Sequence, residues 1–248
     1  MLRRVDPEFI DDPRASPGQL RQAMFGMRVV NRTMGGISSL LRHLERWSTR
    51  WPADRPVTLL DIGTGLADIP KAAATWARGR GLDLRITAVD ANDRVLAAAR
   101  RHVAGDPAIT ILHADAFTLE ERFGPRNFDY VHAGMFLHHF DEAGVVRLLQ
   151  SIDRLAAAGI VWNDLMRTWR GYVPTLLVTL PCPKALRHDA RASIRAGFVE
   201  DEVRNLASRA GIGYAEYREQ FFFQRFTLAG EREGAWAESA APVSSVER

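Results

Sequence analysis

What this chain has little of narrows its possibilities first. A single cysteine, Cys182, among 248 residues excludes an intramolecular disulfide, so a reducing cytoplasm is the expected compartment. No Cys or His cluster has metal-ligand spacing, and no metal site is expected. Lysine is nearly missing: of 33 basic residues only Lys71 and Lys184 are lysines. An excess of either charge is missing too, at a net +3. The arginines are scattered, with short clusters at Arg3-Arg4, Arg78-Gly79-Arg80 and Arg100-Arg101 and no basic run interleaved with aromatics. That pattern fits a solvated surface rather than a nucleic-acid face. Apolar runs approaching the roughly 20 residues of a membrane span are absent; the most lipophilic piece, YVPTLLVTL, is short and holds Pro174. The start, MLRRVDPEFIDDPR, lacks the apolar core of a secretory signal. Neither a membrane partner nor export is expected.

What is there is a globular composition, 46% hydrophobic and 25% charged, in a chain long enough to bury roughly 70% of its extended surface. One sizeable core with a small cap fits that length. Residues 1–55 read as a helical cap and linker. Leu20, Met24, Met27, Val30 and Met34, then Ile37, Leu40, Leu41 and Leu44, recur at helical spacing, split by Gly35-Gly36 and ended by WPADRP. From Val57 short apolar runs (VTLLDIG, LRITAVD, AITILHAD, FDYVHAG, GIVWND) alternate with helical stretches. Such alternation predicts a doubly wound α/β domain over 56–230, a parallel sheet covered on both faces. FVEDEVRNLASRAG reads as a last helix, and YAEYREQ and FFFQRFTLA as two strands joined too tightly to be anything but antiparallel neighbours. The insertion at 165–198 is too apolar for a plain loop. Trp169, Tyr172, Leu176, Leu177, Val178 and Leu180 either roof a pocket, as a substrate lid, or make a homodimer contact. Residues 231–248 are polar, small and aperiodic, which predicts a disordered tail. There is no internal repeat.

The strongest chemical signal is VTLLDIGTGLADIP, a strand running into a glycine-rich turn and then a helix. Such a turn brings backbone against a ligand at the carboxyl end of the first strand. A dinucleotide fingerprint wants a small residue where Asp68 stands, and Asp61 precedes the turn. Two carboxylates repel a pyrophosphate and suit a ligand carrying ammonium and sulfonium charge. Asp68 has a plainer reading as the N-cap of the following helix. Asp90 in ITAVDAN and Asp115 in LHADAF end the second and third strands, where an Asp often simply forms a turn.

On these motifs the chain resembles the class I S-adenosylmethionine-dependent methyltransferases from about Val57 to Ala229. The family loop E/D-x-G-x-G-x-G appears as Asp61, Gly63, Gly65 and, in place of the third glycine, Ala67. The resemblance implies a Rossmann-like seven-stranded, mostly parallel sheet with an antiparallel last strand. It implies S-adenosyl-L-methionine as cofactor and S-adenosyl-L-homocysteine as product. It also implies cofactor contacts at Asp61, Gly63, Thr64, Gly65, Asp68, Asp90, Ala91, Asp115, Ala116 and Ala133. Asp90 would grip both ribose hydroxyls, since a carboxylate can accept from a vicinal diol; Asp115 would accept from the adenine amino group, with the Ala116 amide beside it. LRQAMFGMRVVNRTMGG and RHDARASIRAGF further resemble small-molecule methyltransferases of bacterial secondary metabolism, those acting on polyketide-derived phenols among them.

A small, aromatic hydroxyl is therefore the expected acceptor. N- or C-methylation on the same fold, and a cofactor-binding protein that does not turn over, stand as alternatives. A phenol of pKa about 10 is ionised about one part in a thousand at neutral pH, a handicap of about 4 kcal/mol that a positioned base removes. His138 and His139 follow the fourth strand, and Asn163 and Asp164 end the fifth. Both pairs fall at the sheet's carboxyl edge, so His139 or His138, oriented by Asp164, is the expected catalytic base. In the plainer reading one of these histidines caps the helix begun by Asp141 and the other packs under the loop. His188-Asp189 is a second polar pair; His43, His102 and His113 read as structural.

Overall fold

The computed structural model describes residues 1–10, 12 and 14–236. Helix α1 (Pro17–Thr33) starts at Ser16, whose hydroxyl accepts from the Gln19 amide while the Gln19 side chain returns to the Ser16 backbone, a reciprocal cap with Pro17 in the first turn. Helix α2 (Gly36–Trp47) begins after Gly35, whose φ of +82° turns the chain sharply between the two.

Beyond the linker come β1 (Val57–Ile62), α3 (Asp68–Arg78), β2 (Leu84–Asp90), α4 (Asp93–His102), β3 (Ile109–His113), α5 (Leu119–Phe123) and β4 (Phe128–Gly134). Then follow α6 (Glu142–Leu155), β5 (Ala156–Leu165), α7 (Trp169–Val178), α8 (Lys184–Ala196), α9 (Glu200–Arg209), β6 (Glu216–Gln220) and β7 (Arg225–Glu231). The sheet order is β3-β2-β1-β4-β5-β7-β6. Strands β1 to β5 pair in parallel, and β7 runs antiparallel between β5 and β6 with Asn163 opposite Thr227 and Leu165 opposite Arg225. This is the doubly wound sheet that the alternating runs imply, in the Rossmann-like, seven-stranded arrangement that the resemblance implies, with the N-terminal helices added.

The strands bury both faces. On one side Leu148, Ile152, Val203 and Leu206 of α6 and α9 pack on Trp162, Phe198 and Phe226. On the other, Leu40, Leu44 and Trp47 of α2 and Ala73 of α3 pack on Leu59, Tyr130 and Val161, with Trp47 stacked on Tyr130 at 5.1 Å. Because β1 to β5 are parallel, all their carboxyl ends open on one edge, and the lid helices α7 and α8 lie over that edge with α1.

Three expectations change. Phe221–Phe223 form a 3-10 turn, not the start of the last strand; Gln224 with φ +49° then re-aims the chain. Of the tail expected from residue 231, the described part is structured: β7 includes Glu231, and a turn carries Trp236 back to donate to Glu231 and lie under Arg55. Residues 237–248, the rest of that expected tail, lie outside the described residues. Asp68 is not an N-cap either. It is the first residue inside α3, held by Arg28 at 3.3 Å and near His102 at 3.5 Å, while Ala67 takes the cap position in a left-handed conformation.

Candidate functional site

The carboxyl edge of the sheet holds a cavity of about 1170 Å³, floored by the ends of β1, β2 and β4 and the residues after β3, and roofed by α1, α7 and α8. That volume exceeds the upper end of ordinary single-ligand pockets, about 1,000 Å³, so two ligands can share it. Of the expected cofactor residues, Asp61, Gly63, Thr64, Gly65, Asp90, Ala91, Asp115 and Ala116 line it. Asp68 and Ala133 do not. Asp68 is buried at the start of α3 beside Arg28, off the cavity wall, and Ala133 is fully buried within β4, leaving Gly134 to face the cavity.

The loop after β1 is built for close approach. Gly65 has φ +55° and sits so near α1 that a Cβ there would come within 2.6 Å of Met27 Sδ. Thr64, whose amide donates to the Val89 carbonyl, keeps a buried hydroxyl without a hydrogen-bond partner. A buried orphan hydroxyl at a cavity wall is a place for a ligand's polar atom. Asp90 braces this loop, one oxygen accepting from the Gly65 amide and the other from the Asn92 amide, each at 2.9 Å. Asp115 caps the turn that follows β3 by accepting from the Phe117 amide at 2.9 Å. Neither bond exhausts a carboxylate, which offers about four lone-pair sites. With Asp61, Asp90, Asp93 and Asp115 on the wall, this set of acceptors favours hydroxyls, amines and positive charge. It suits S-adenosylmethionine and disfavours a pyrophosphate.

At the other end of the cavity the structure brings His138 and Asp164 together, as their places on the strand edge suggest. Asp164, fully buried, accepts from His138 Nδ1 at 2.6 Å, from the His138 and Leu165 amides and from Trp162 Nε1. The far nitrogen of His138 faces Glu8 at 3.6 Å, and Glu8 takes the Ser193 hydroxyl. Burial opposes charge on His138, yet the flanking carboxylates outweigh it and raise its pKa to about 10. Burial likewise pushes Asp164 and Glu8 up, but the imidazolium and hydrogen bonds hold both below the ordinary carboxylate range. A buried Glu8⁻, His138⁺, Asp164⁻ row results. His139 stacks on His138 with ring centroids 4.3 Å apart and lines the cavity. Neither histidine caps α6, because the Asp141 carboxylate does so itself, accepting from the Gly144 amide at 2.8 Å.

Glu8 escaped the sequence reading because it lies in a lead with no periodicity. That lead straps across the cavity. Arg3 donates to the Ala196 and Phe140 carbonyls, each at 2.8 Å, and lies 4.4 Å over the Phe198 ring; the Phe9 amide donates to Asp189. The pair His188-Asp189 sits on helix α8, and Asp189 serves as an anchor for the strap. A second polar row also went unread. His132 donates to Asp61 and accepts from Asn163 Nδ2 at 2.8 Å, and Asn163 Oδ1 accepts from Arg225 at 3.1 Å. It ties the ends of β1, β4, β5 and β7 together. In the sequence His132 lies inside the run FDYVHAG and Arg225 inside FFFQRFTLA, where nothing marks either as part of a polar row.

Comparison with known proteins agrees with this geometry. The family described as "Methyltransferase domain" matches residues 59–159. No curated protein matches the chain. Among solved structures, a candidate O-methyltransferase from Nostoc punctiforme is similar with a TM-score of 0.61 at 18% identity, covering 93% of this chain. The plantazolicin methyltransferase BamL, solved with S-adenosylhomocysteine (SAH), is similar at 0.65 and 12% identity, covering 90% of this chain and 92% of its own. The CMeT domain of the citrinin polyketide synthase is similar at 0.66 and 11% identity, covering 91% of this chain. This chain spans 64% of the Nostoc protein's length and 59% of the citrinin chain's. Likeness at such identity is one of fold.

Proposed function

We propose that this chain, which carries a class I S-adenosylmethionine-dependent methyltransferase domain, transfers a methyl group to the hydroxyl of a small, lipophilic aromatic acceptor of secondary metabolism. Bound S-adenosylmethionine supplies a methyl on a positively charged sulfur. Asp90 receives the ribose hydroxyls, Asp115 the adenine amino group, and the loop from Asp61 to Gly65 the amino-acid end. This assignment leaves Asp68 and Ala133 out.

The acceptor occupies the end walled by Phe136, His139, Phe140, Leu186 and Ile194, with Thr175 and Val178 above it. The observation that carries the oxygen reading is the stacked pair of histidines at this wall. His138, held between Glu8 and Asp164, keeps its proton and so is not the base. It is a positioning residue that fixes its neighbour. His139, the more exposed member of the stack, takes the hydroxyl proton. The oxygen then bonds to the methyl carbon as the carbon-sulfur bond breaks, its electron pair leaving with sulfur. Alignment of these atoms in a closed site is worth roughly 7 to 11 kcal/mol.

The test is His139→Gln assayed on a neutral phenol and on a nitrophenol already ionised at neutral pH. The variant should lose about 10² to 10⁴ in kcat on the first, the usual contribution of a general base, and little on the second. Full kcat on the neutral phenol, or a product methylated on carbon or nitrogen, overturns the reading.

A further inference from the structure

Helix α7 wears its apolar residues on the outside. Pro174, Thr175 and Val178 meet the cavity. Trp169, Val173, Leu177 and, one turn on, Leu180 are exposed at 62%, 46%, 62% and 56%. The spacing of four, four and three makes them one helical stripe. The stripe continues onto the turn before β7, where Phe221 and Phe222 are exposed at 51% and 92%. The two are tied by Arg170, 5.5 Å from the Phe221 ring, and by Thr168 bonding Gln224. Soluble monomers rarely leave so long an apolar surface uncovered.

The charge around it is equally one-sided. Residues 165–198 carry six basic side chains and one acid, Asp189, in a chain balanced at 33 to 30. Arg167 and Arg195 are spent on Glu202 and Asp6. Arg170, Lys184, Arg187 and Arg191 have no carboxylate partner among the described residues. Apolar side chains rimmed by unpaired cations match an anionic lipid interface. They match a second copy of the same face less well, since a two-fold contact would set these cations against their own counterparts, with Asp189 buried and Glu219, beside the phenylalanine turn, to answer them.

We infer that the α7 stripe and the Phe221-Phe222 turn form a docking face for an anionic membrane surface. Trp169, Leu177 and Phe222 enter the headgroup layer, and the cations contact lipid phosphates. Val178, exposed yet part of the cavity wall, places the cavity mouth beside that face.

The experiment is co-sedimentation of the full chain with phosphatidylglycerol-containing vesicles, against pure phosphatidylcholine vesicles. Binding should require the anionic lipid and weaken with salt. It should fall at least about tenfold in Leu177→Ser/Phe222→Ser and in Lys184→Glu/Arg187→Glu, a tenfold change corresponding to 1.4 kcal/mol. Both double variants should keep wild-type S-adenosylmethionine affinity and turnover on a water-soluble phenol, which separates this inference from the reaction assigned above. No vesicle binding, binding undiminished in both variants, or a solution dimer that Leu177→Ser/Phe222→Ser dissociates would overturn it.

Discussion

The Asp90 carboxylate accepts from the Gly65 and Asn92 amides, so it both shapes the glycine loop and faces the cavity. Asp90→Ala should weaken S-adenosylmethionine binding by roughly 1.5 to 3 kcal/mol, the range for hydrogen bonds to a charged group, as read by calorimetry. Unchanged affinity in a folded variant would remove Asp90 from the site. The Glu8, His138 and Asp164 row makes a second residue-level prediction. Breaking a buried pair strands a charge and typically costs 3 to 5 kcal/mol, so Asp164→Asn should lower stability on that order in denaturant melts. The sign with pH follows from the shifts. His138 is raised to about 10, so its contribution is full below its ordinary value near 6.5 and is lost as pH climbs toward 10. Asp164 and Glu8 are lowered, so theirs is lost as pH falls through the acid range. The wild type should be most stable between, and Asp164→Asn should flatten both limbs. Asp61, Asp90, Asp115 and the His138-Asp164 pair were legible because strand ends are legible. Glu8 and Arg225 were not, since each acquires its role from a partner far away in the chain or across the sheet.

Among elements, α2 carries a group that reports its docking. His43 lies tilted against Trp47, ring centroids 5.3 Å apart, and bonds Thr227 on β7; burial first, then Arg218, Arg42 and Arg46, lower its pKa to about 4. The unfolded chain thus binds a proton there that the folded one refuses. Stability from this group is full above about 6.5 and is lost as pH falls toward 4, by up to about 3 kcal/mol. His43→Phe should remove that part of the acid sensitivity in thermal melts, and an unchanged profile would refute it. The lid sequence announced its apolar character but not its direction. Trp169, Tyr172 and Leu176 lie off the cavity wall, while Thr175 and Val178 lie on it. Accordingly Val178→Ala and Thr175→Ala should raise the acceptor KM with donor affinity unchanged, and Tyr172→Ala should not; the reverse pattern would mean that α7 presents its other side to the acceptor. Composition cannot show orientation in an element with apolar residues on both sides. Periodicity mistook Phe221–Phe223 for strand for the same reason, since three consecutive phenylalanines satisfy any pattern.

For the whole molecule, S-adenosylhomocysteine should raise the melting temperature, because a ligand at about 100 times its Kd adds about 2.7 kcal/mol to a protein that binds it only when folded. NAD should not, and Asp90→Ala should respond weakly; a rise with NAD instead would reassign the pocket. The parallel sheet, its two-sided cover and the cavity's edge all followed from alternating strand and helix patterns, whereas the strap of residues 3–9 has no local signature. That strap bears on how the protein is made. Arg3 and its partner Ala196 are separated by 193 positions, so at ribosomal speeds of about 5–20 residues per second the strap waits roughly 10 to 40 seconds for its anchors. The nucleotide-facing half can condense while the lid is still unmade. The wall assigned to the acceptor, with Glu8 in it, then takes shape late in synthesis, once the lid is made and alongside α9, β6 and β7.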